Sequence, residues 1–217
     1  MNAPAAIGPA DTFLACLAAA DRRETPFRHW LLDRVLPPAI ARAIAAMPLP
    51  PAAIDDTKGK RETHNSTRRF FAAGGLSTPA TRAVAETFQS AAIVRALAET
   101  TGAELAGTSL RIEYCRDTDG FWLEPHTDIG AKSFTMLIYL SEATDWGTDV
   151  YDSGKRHLGA APSGFDKGLI FVPGENTWHG FEKRRIDGVR KSLIVNYVKP
   201  EWRARHELAY PETPVAF

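Results

Sequence analysis

The sequence predicts a mainly β chain with helices at its N-terminal end: a β-sandwich or barrel core supported by helical additions. Three observations lead there. Helical spacing of apolar residues is confined to the stretch before Gly102. After Gly107, short alternating or apolar runs recur, each bounded by Gly, Pro, Asp or Ser, which is the rhythm of short strands. A length of 217 residues with a hydrophobic fraction of 44% suffices for one buried core and favours one domain over two.

Taken in order, residues 1–10 are small and aperiodic and read as a loose leader. The run Phe13-Leu14-Ala15-Cys16-Leu17-Ala18-Ala19-Ala20 suits a short helix over 12–20, with Asp11 as its cap. Residues 27–36 carry Phe27, Trp30, Leu31, Val35 and Leu36, an extended piece turning into helix. Pro37-Pro38 opens a helix over Ala39 to Met47, because proline is tolerated in a first turn, and Pro48, Pro50 and Pro51 stop it. Residues 55–69 are polar and without period, a long loop or lid. Residues 79–100 return to helical spacing with the stripe Val84, Phe88, Ile93, Val94 and Leu97, and Thr101-Gly102 ends it. The strand-like segments are Leu110 to Tyr114, Phe134 to Leu140, Leu169 to Val172 and Leu193 to Val198. The division is therefore a helical support with a lid loop over 1–107, a β core over 108–200 and a tail over 201–217, all in one domain.

Composition excludes more than it assigns. Lys+Arg and Asp+Glu are 26 each, a zero formal charge that gives no reason to expect nucleic acid or an anionic membrane as partner. No segment is apolar for long enough to span a bilayer. The start lacks the basic and apolar regions of a secretion signal. Cys16 and Cys115 are too far apart for a metal knuckle and read as reduced, buried small residues. The expected location is the cytoplasm.

The chemistry sits in Glu124-Pro125-His126-Thr127-Asp128. In an extended chain residues two apart share a face, so His126 and Asp128 can reach one metal. A triplet of this kind by itself is most often a surface polar pair. Trp178-His179-Gly180 adds a second histidine after the strand at 169–172 and the turn at 173–176. Two histidines and one carboxylate on one face of a metal leave positions open, unlike a closed structural zinc site. In the following strand, alternation places Arg190, Ser192, Ile194 and Asn196 on one face and Leu193 and Val195 on the other. An inward arginine is costly unless it meets an anion, and its fork suits a carboxylate, with the Ser192 hydroxyl as a further donor. Pairing of Arg190 with a protein carboxylate is the alternative.

The order H-x-D, distal His, then R-x-S resembles the Fe(II)/2-oxoglutarate-dependent dioxygenase superfamily over about residues 108–200. The stretch Pro26-Phe27-Arg28-His29-Trp30-Leu31-Leu32-Asp33 with Leu36-Pro37-Pro38 is similar to the lead-in of its small bacterial hydroxylases. The resemblance implies a double-stranded β-helix, or jelly roll, with helices outside. It implies that His126, Asp128 and His179 ligate Fe(II) and that Arg190, assisted by Ser192, pairs with the distal carboxylate of 2-oxoglutarate. Tyr114 matches a position that often donates a hydroxyl to 2-oxoglutarate, or it packs the barrel. The implied activity is hydroxylation of a C–H bond of a small metabolite or protein side chain, consuming dioxygen and 2-oxoglutarate, releasing succinate and carbon dioxide, and stimulated by ascorbate. The carboxylate of Asp128 argues against a halogenase, which vacates that position. Two departures separate the chain from collagen-type prolyl hydroxylases. Gly147-Thr148-Asp149-Val150-Tyr151-Asp152 stands where many members have a Gly-Gly-Glu-Leu-like strand, and Arg190 stands where those enzymes use lysine.

Substrate candidates are Arg68, Phe70, Trp122, Lys132 and Trp146, with Trp122 and Trp146 as walls of the pocket. The basic run Lys58-Gly59-Lys60-Arg61 with Arg68-Arg69 either closes over an anionic substrate or is a solvated loop, and Lys183-Arg184-Arg185 reads the same way. Two other functions use the same residues. One is an oxidative demethylase of alkylated nucleic acid, which calls for a basic groove. The other is a non-redox metal-binding jelly roll, in which Arg190 and Ser192 have no evident task.

Overall fold

A computed structural model describes residues 8–49, 54, 56–60, 67–72 and 75–217. Parts of the expected leader and of the 55–69 loop, Arg61 among them, lie outside the described residues.

Helix α1 (Pro9–Ala18) begins earlier than the composition suggests, because Pro9 occupies its first turn after Gly8. Two short strands follow, β1 (Asp21–Arg23) and β2 (His29–Asp33), so residues 27–36 do not turn into helix. Helix α2 (Pro38–Ala45) has Pro37 as its cap residue. Strand β3 (Arg68–Phe70) takes Arg68 and Arg69 out of the expected loop and into a sheet. The long helical stretch is two helices, α3 (Pro79–Gln89) and α4 (Ala91–Thr101). They break at Ser90, whose backbone is extended (φ −67°, ψ 139°), while the stripe from Val84 to Leu97 stays fully buried across the break. Gly102 ends α4 at φ 76°, where a side chain would be strained.

The remaining strands are β4 (Ser109–Asp117), β5 (Leu123–His126), β6 (Lys132–Tyr139), β7 (Asp149–Tyr151), β8 (His157–Ala160), β9 (Lys167–Phe171), β10 (His179–Phe181) and β11 (Arg190–Val198). They form a seven-stranded sheet ordered β1-β2-β9-β6-β11-β4-β3 and a four-stranded sheet ordered β5-β10-β7-β8. The paired strands are antiparallel throughout. This is the jelly-roll core with helices on one side that the sequence predicts.

Side-chain alternation gives the large sheet two faces. Leu110, Ile112 and Tyr114 of β4, Phe134, Met136 and Ile138 of β6, and Leu193, Val195 and Tyr197 of β11 pack against Phe13, Val84, Phe88, Ile93 and Leu97 of the helices. On the other face Cys115, Leu137, Tyr139, Leu169, Phe171 and Ile194 meet Val150 of the small sheet and Ala161, which follows β8. Cys16 and Cys115 are both buried. The tail folds back: Leu208, Ala209 and Val215 are buried, and the Ala209 N–H donates to the Leu110 carbonyl at 2.9 Å. Among the described residues no helix is long and apolar enough to cross a membrane.

Candidate metal centre

The two histidines face each other because their strands pair. His126 ends β5, His179 opens β10, and the two are direct partners in the antiparallel register. The strands approach closely at Gly180, where a Cβ would stand 2.8 Å from the Leu123 carbonyl oxygen. The imidazole centroids are 4.4 Å apart. Asp128, two residues beyond His126, joins them: the candidate ligand atoms of His126, Asp128 and His179 all lie within 4.8 Å of one another.

Each histidine is oriented by a backbone carbonyl two residues before it. His126 Nδ1 lies 2.7 Å from the Glu124 oxygen, and His179 Nδ1 lies 2.9 Å from the Thr177 oxygen. A carbonyl can only accept, so each Nδ1 carries the proton and each Nε2 lone pair is left for a ligand. Burial pushes the His179 pKa down to about 4, with His126 adding to the effect against the attraction of Asp128. The ring is therefore neutral near pH 7, the form that binds a metal. Burial of Asp128 works against its ionisation. Lys132, His179 and the Thr135 hydroxyl outweigh it and hold the carboxyl well below the usual range. Both carboxylate oxygens are engaged: Oδ1 accepts from Lys132 Nζ and Oδ2 from Thr135 Oγ1, each at 2.6 Å.

The three residues line a cavity of about 770 Å³ between the sheets, together with Arg68, Lys132 and Arg190. Arg190 is 3% exposed. Its Nε donates to the Trp146 carbonyl at 2.9 Å and its Nη1 to Asp117 Oδ2 at 2.8 Å. The Phe181 ring lies 4.6 Å below the guanidinium. Arg190 thus reaches the cavity and also has a protein carboxylate. Its Nη2 has no hydrogen-bond acceptor among the described residues. The buried Ser192 hydroxyl, on the same inward face, has no partner either. A buried, half-used guanidinium beside an unpartnered hydroxyl fits a carboxylate guest.

Three of the residues predicted from the sequence lie elsewhere. Tyr114 is on the helix face, packed among the outer core residues, and its hydroxyl donates to the Ala45 carbonyl at 3.2 Å. Tyr139 is the inward tyrosine instead. It pairs in register with Ser192, and its hydroxyl donates to Thr148 Oγ1 at 2.9 Å, Thr148 being a cavity residue. Trp122 does not wall the cavity. Its Nε1 donates to Asp56 at 2.5 Å and its ring covers Gly59. Trp146 is packed with Ile54, Phe121, Phe181 and Ile186, and its carbonyl accepts from Arg190 Nε. Trp202, from the tail, lines the cavity in their place.

Arg68 and Lys132 do reach the cavity, but neither is unpaired. Arg68 Nε donates to Glu113 at 3.0 Å. Arg111, also in the cavity, donates to Glu113 at 2.8 Å, to Glu207 at 2.6 Å and to Asn196 at 3.0 Å, and lies between the Phe70 and Trp202 rings at 4.9 and 5.1 Å. Sequence reasoning missed Arg111 and Glu113. Their signal was the alternation of β4, which puts them on the face opposite Leu110, Ile112 and Tyr114.

A scan of protein-family models finds no match, and a search of curated proteins finds none. Solved structures do match. An oxidoreductase of the 2OG-Fe(II) oxygenase family from Burkholderia pseudomallei is 18% identical over 91% of this chain and 94% of its own, with a TM-score of 0.52. A Pseudomonas putida prolyl-4-hydroxylase is 14% identical over 89% and 97%, with a TM-score of 0.56. A Trichoplax adhaerens prolyl hydroxylase, solved with a peptide fragment of hypoxia inducible factor, is 11% identical over 90% and 91%, also at 0.56. At these identities the likeness is one of fold: the chain is built as 2OG-Fe(II) oxygenases are.

Proposed function

We propose that this protein is an Fe(II)- and 2-oxoglutarate-dependent oxygenase that hydroxylates a C–H bond of a small molecule or a peptide side chain. The observation that carries this reading is the open set of His126, Asp128 and His179 on one wall of a cavity that also holds Arg190. The fold shared with the oxygenase and the two prolyl hydroxylases supports it.

On this reading His126 and His179, through Nε2, and Asp128 hold the iron. Arg190 and Ser192, with Tyr139 beside them, receive the distal carboxylate of 2-oxoglutarate. When bound, iron and cosubstrate supply the oxidation of the C–H bond by dioxygen, with succinate and carbon dioxide as co-products. The chain's own part is orientation. The Glu124 and Thr177 carbonyls fix the two imidazoles, Thr135 fixes the carboxylate, and Phe181 braces the guanidinium. The cavity arginines Arg68 and Arg111 are neutralised by Glu113 and Glu207, which favours a small or peptide substrate over a polyanion such as nucleic acid.

Purified protein given Fe(II), ascorbate and 2-oxoglutarate should release succinate slowly even without substrate. No succinate, together with no 2-oxoglutarate binding to the metal-loaded protein, overturns the reading. Arg190→Ala should weaken 2-oxoglutarate binding about ten- to a hundredfold, the worth of a charge-assisted pair. Unchanged affinity in that variant would move the cosubstrate site elsewhere.

A further inference from the structure

Lys132 stands apart from the three arginines of the cavity. Arg68 and Arg111 are bound to Glu113, Arg111 also to Glu207, and Arg190 to Asp117. Each of those acceptors lies outside the candidate ligand set. Lys132 instead donates to Asp128, the one carboxylate of that set, at 2.6 Å. The pair is secluded, with the side chains 18% and 6% exposed. The other carboxylate oxygen accepts from the neutral Thr135 hydroxyl.

An ammonium at hydrogen-bond distance supplies the counter-charge that a buried carboxylate needs. A divalent ion on the same carboxylate supplies it again, and the two cations then repel each other across a few ångströms of poorly screened space. Lysine is suited to yielding: its charge rides on a flexible four-carbon stem, and Lys132 borders the open cavity rather than a packed wall.

We propose that Lys132 is a resident competitor for the metal. It satisfies Asp128 in the metal-free protein, gives up that contact when the ion arrives, and so sets how tightly the ion is held. The proposal rests on the reading of His126, Asp128 and His179 as a metal site.

The test is titration calorimetry with Mn(II) on the whole chain at one fixed pH, with wild type, Lys132→Met, Lys132→Gln, Lys132→Arg and Asp128→Ala. Lys132→Met and Lys132→Gln should bind Mn(II) about tenfold or more tightly than wild type, since each removes a unit charge next to the ion. The glutamine variant keeps a hydrogen-bond donor toward Asp128 and guards against loss of folding. Lys132→Arg, which keeps the charge, should stay close to wild type. Metal-free Lys132→Met should melt below wild type and gain more from Mn(II), because its buried carboxylate has lost its partner. Unchanged or weaker Mn(II) binding in both charge-removing variants overturns the proposal. Weaker binding would mean instead that Lys132 holds Asp128 in its ligating pose. Failure of the metal site itself is recognised separately, by wild type and Asp128→Ala binding Mn(II) equally poorly.

Discussion

The two faces of the large sheet are built from the same strands and obey different rules. On the helix side β4, β6 and β11 present Leu110, Ile112, Phe134, Met136, Leu193 and Val195, all fully buried against apolar neighbours. On the cavity side the same strands present Arg111, Glu113, Thr135, Arg190, Ser192 and Asn196, nearly all of them bonded to one another or to nearby polar groups. The helix face derives its energy from area removed from water, whereas the cavity face adds matched charges and donors to an apolar patch that includes Cys115, Leu137 and Ile194. A one-residue step from Ile112 to Glu113, or from Leu193 to Ser192, therefore exchanges an apolar packing position for a polar one.

Substitutions can break or sharpen that contrast. The largest effect is expected from His179→Ala on the cavity side. It should abolish metal binding, measured as metal content after dialysis against Fe(II) or Mn(II), and with it any succinate release. Next comes Leu193→Ala on the opposite face of β11, which should cost about 2–5 kcal/mol in chemical denaturation. The folded fraction of that variant should bind 2-oxoglutarate as wild type does. An intermediate pair of tests compares the two tyrosines. Tyr114→Phe should lose about 1 kcal/mol of stability with its bond to Ala45 and leave 2-oxoglutarate affinity alone, while Tyr139→Phe should weaken that affinity severalfold. Equal effects of the two on cosubstrate binding would dissolve the distinction between the faces.

The smallest effect concerns Asp166, which lies on neither face. Burial, with Asp33 adding to it, raises its pKa to about 7 against the hydrogen bond from the Leu36 N–H. The folded chain then holds this proton more tightly than the unfolded one, so Asp166 makes stability fall as pH rises from about 4 to about 7. Asp166→Asn should flatten that slope in denaturation curves taken across the window. Asparagine also tolerates the φ of 63° at this position.

Much of the site was legible because it follows from local rules. His126 and Asp128 share a face by strand periodicity, and Arg190 turns inward while Leu193 and Val195 turn outward, as alternation requires. The stripe from Val84 to Leu97 announced its helices, although the turn at Ser90 left no mark in the pattern. What escaped depends on pairings between distant segments. That β2 docks on β9 and β3 on β4 cannot be read from any window of sequence. Neither can the pairing of Arg190 with Asp117, or the return of Trp202 and Glu207 to the cavity. Tyr114 is the instructive case. Its parity with Leu110 and Ile112 was visible in the sequence and points to the helix side. Trp122 and Trp146 stand near the ligands along the chain, whereas their rings pack on Gly59 and around Ile54.

The direct pairing of His126 with His179 has a mechanical consequence. Strands β5, β7, β8 and β10 are three or four residues long, so the small sheet has few ladder bonds of its own. On the proposed reading, an ion shared by β5 and β10 would act as a removable clasp across that sheet, tying together points remote along the chain. The rigidity of this half of the jelly roll would then follow free metal concentration, and chelation should make its strands the first to open to a protease.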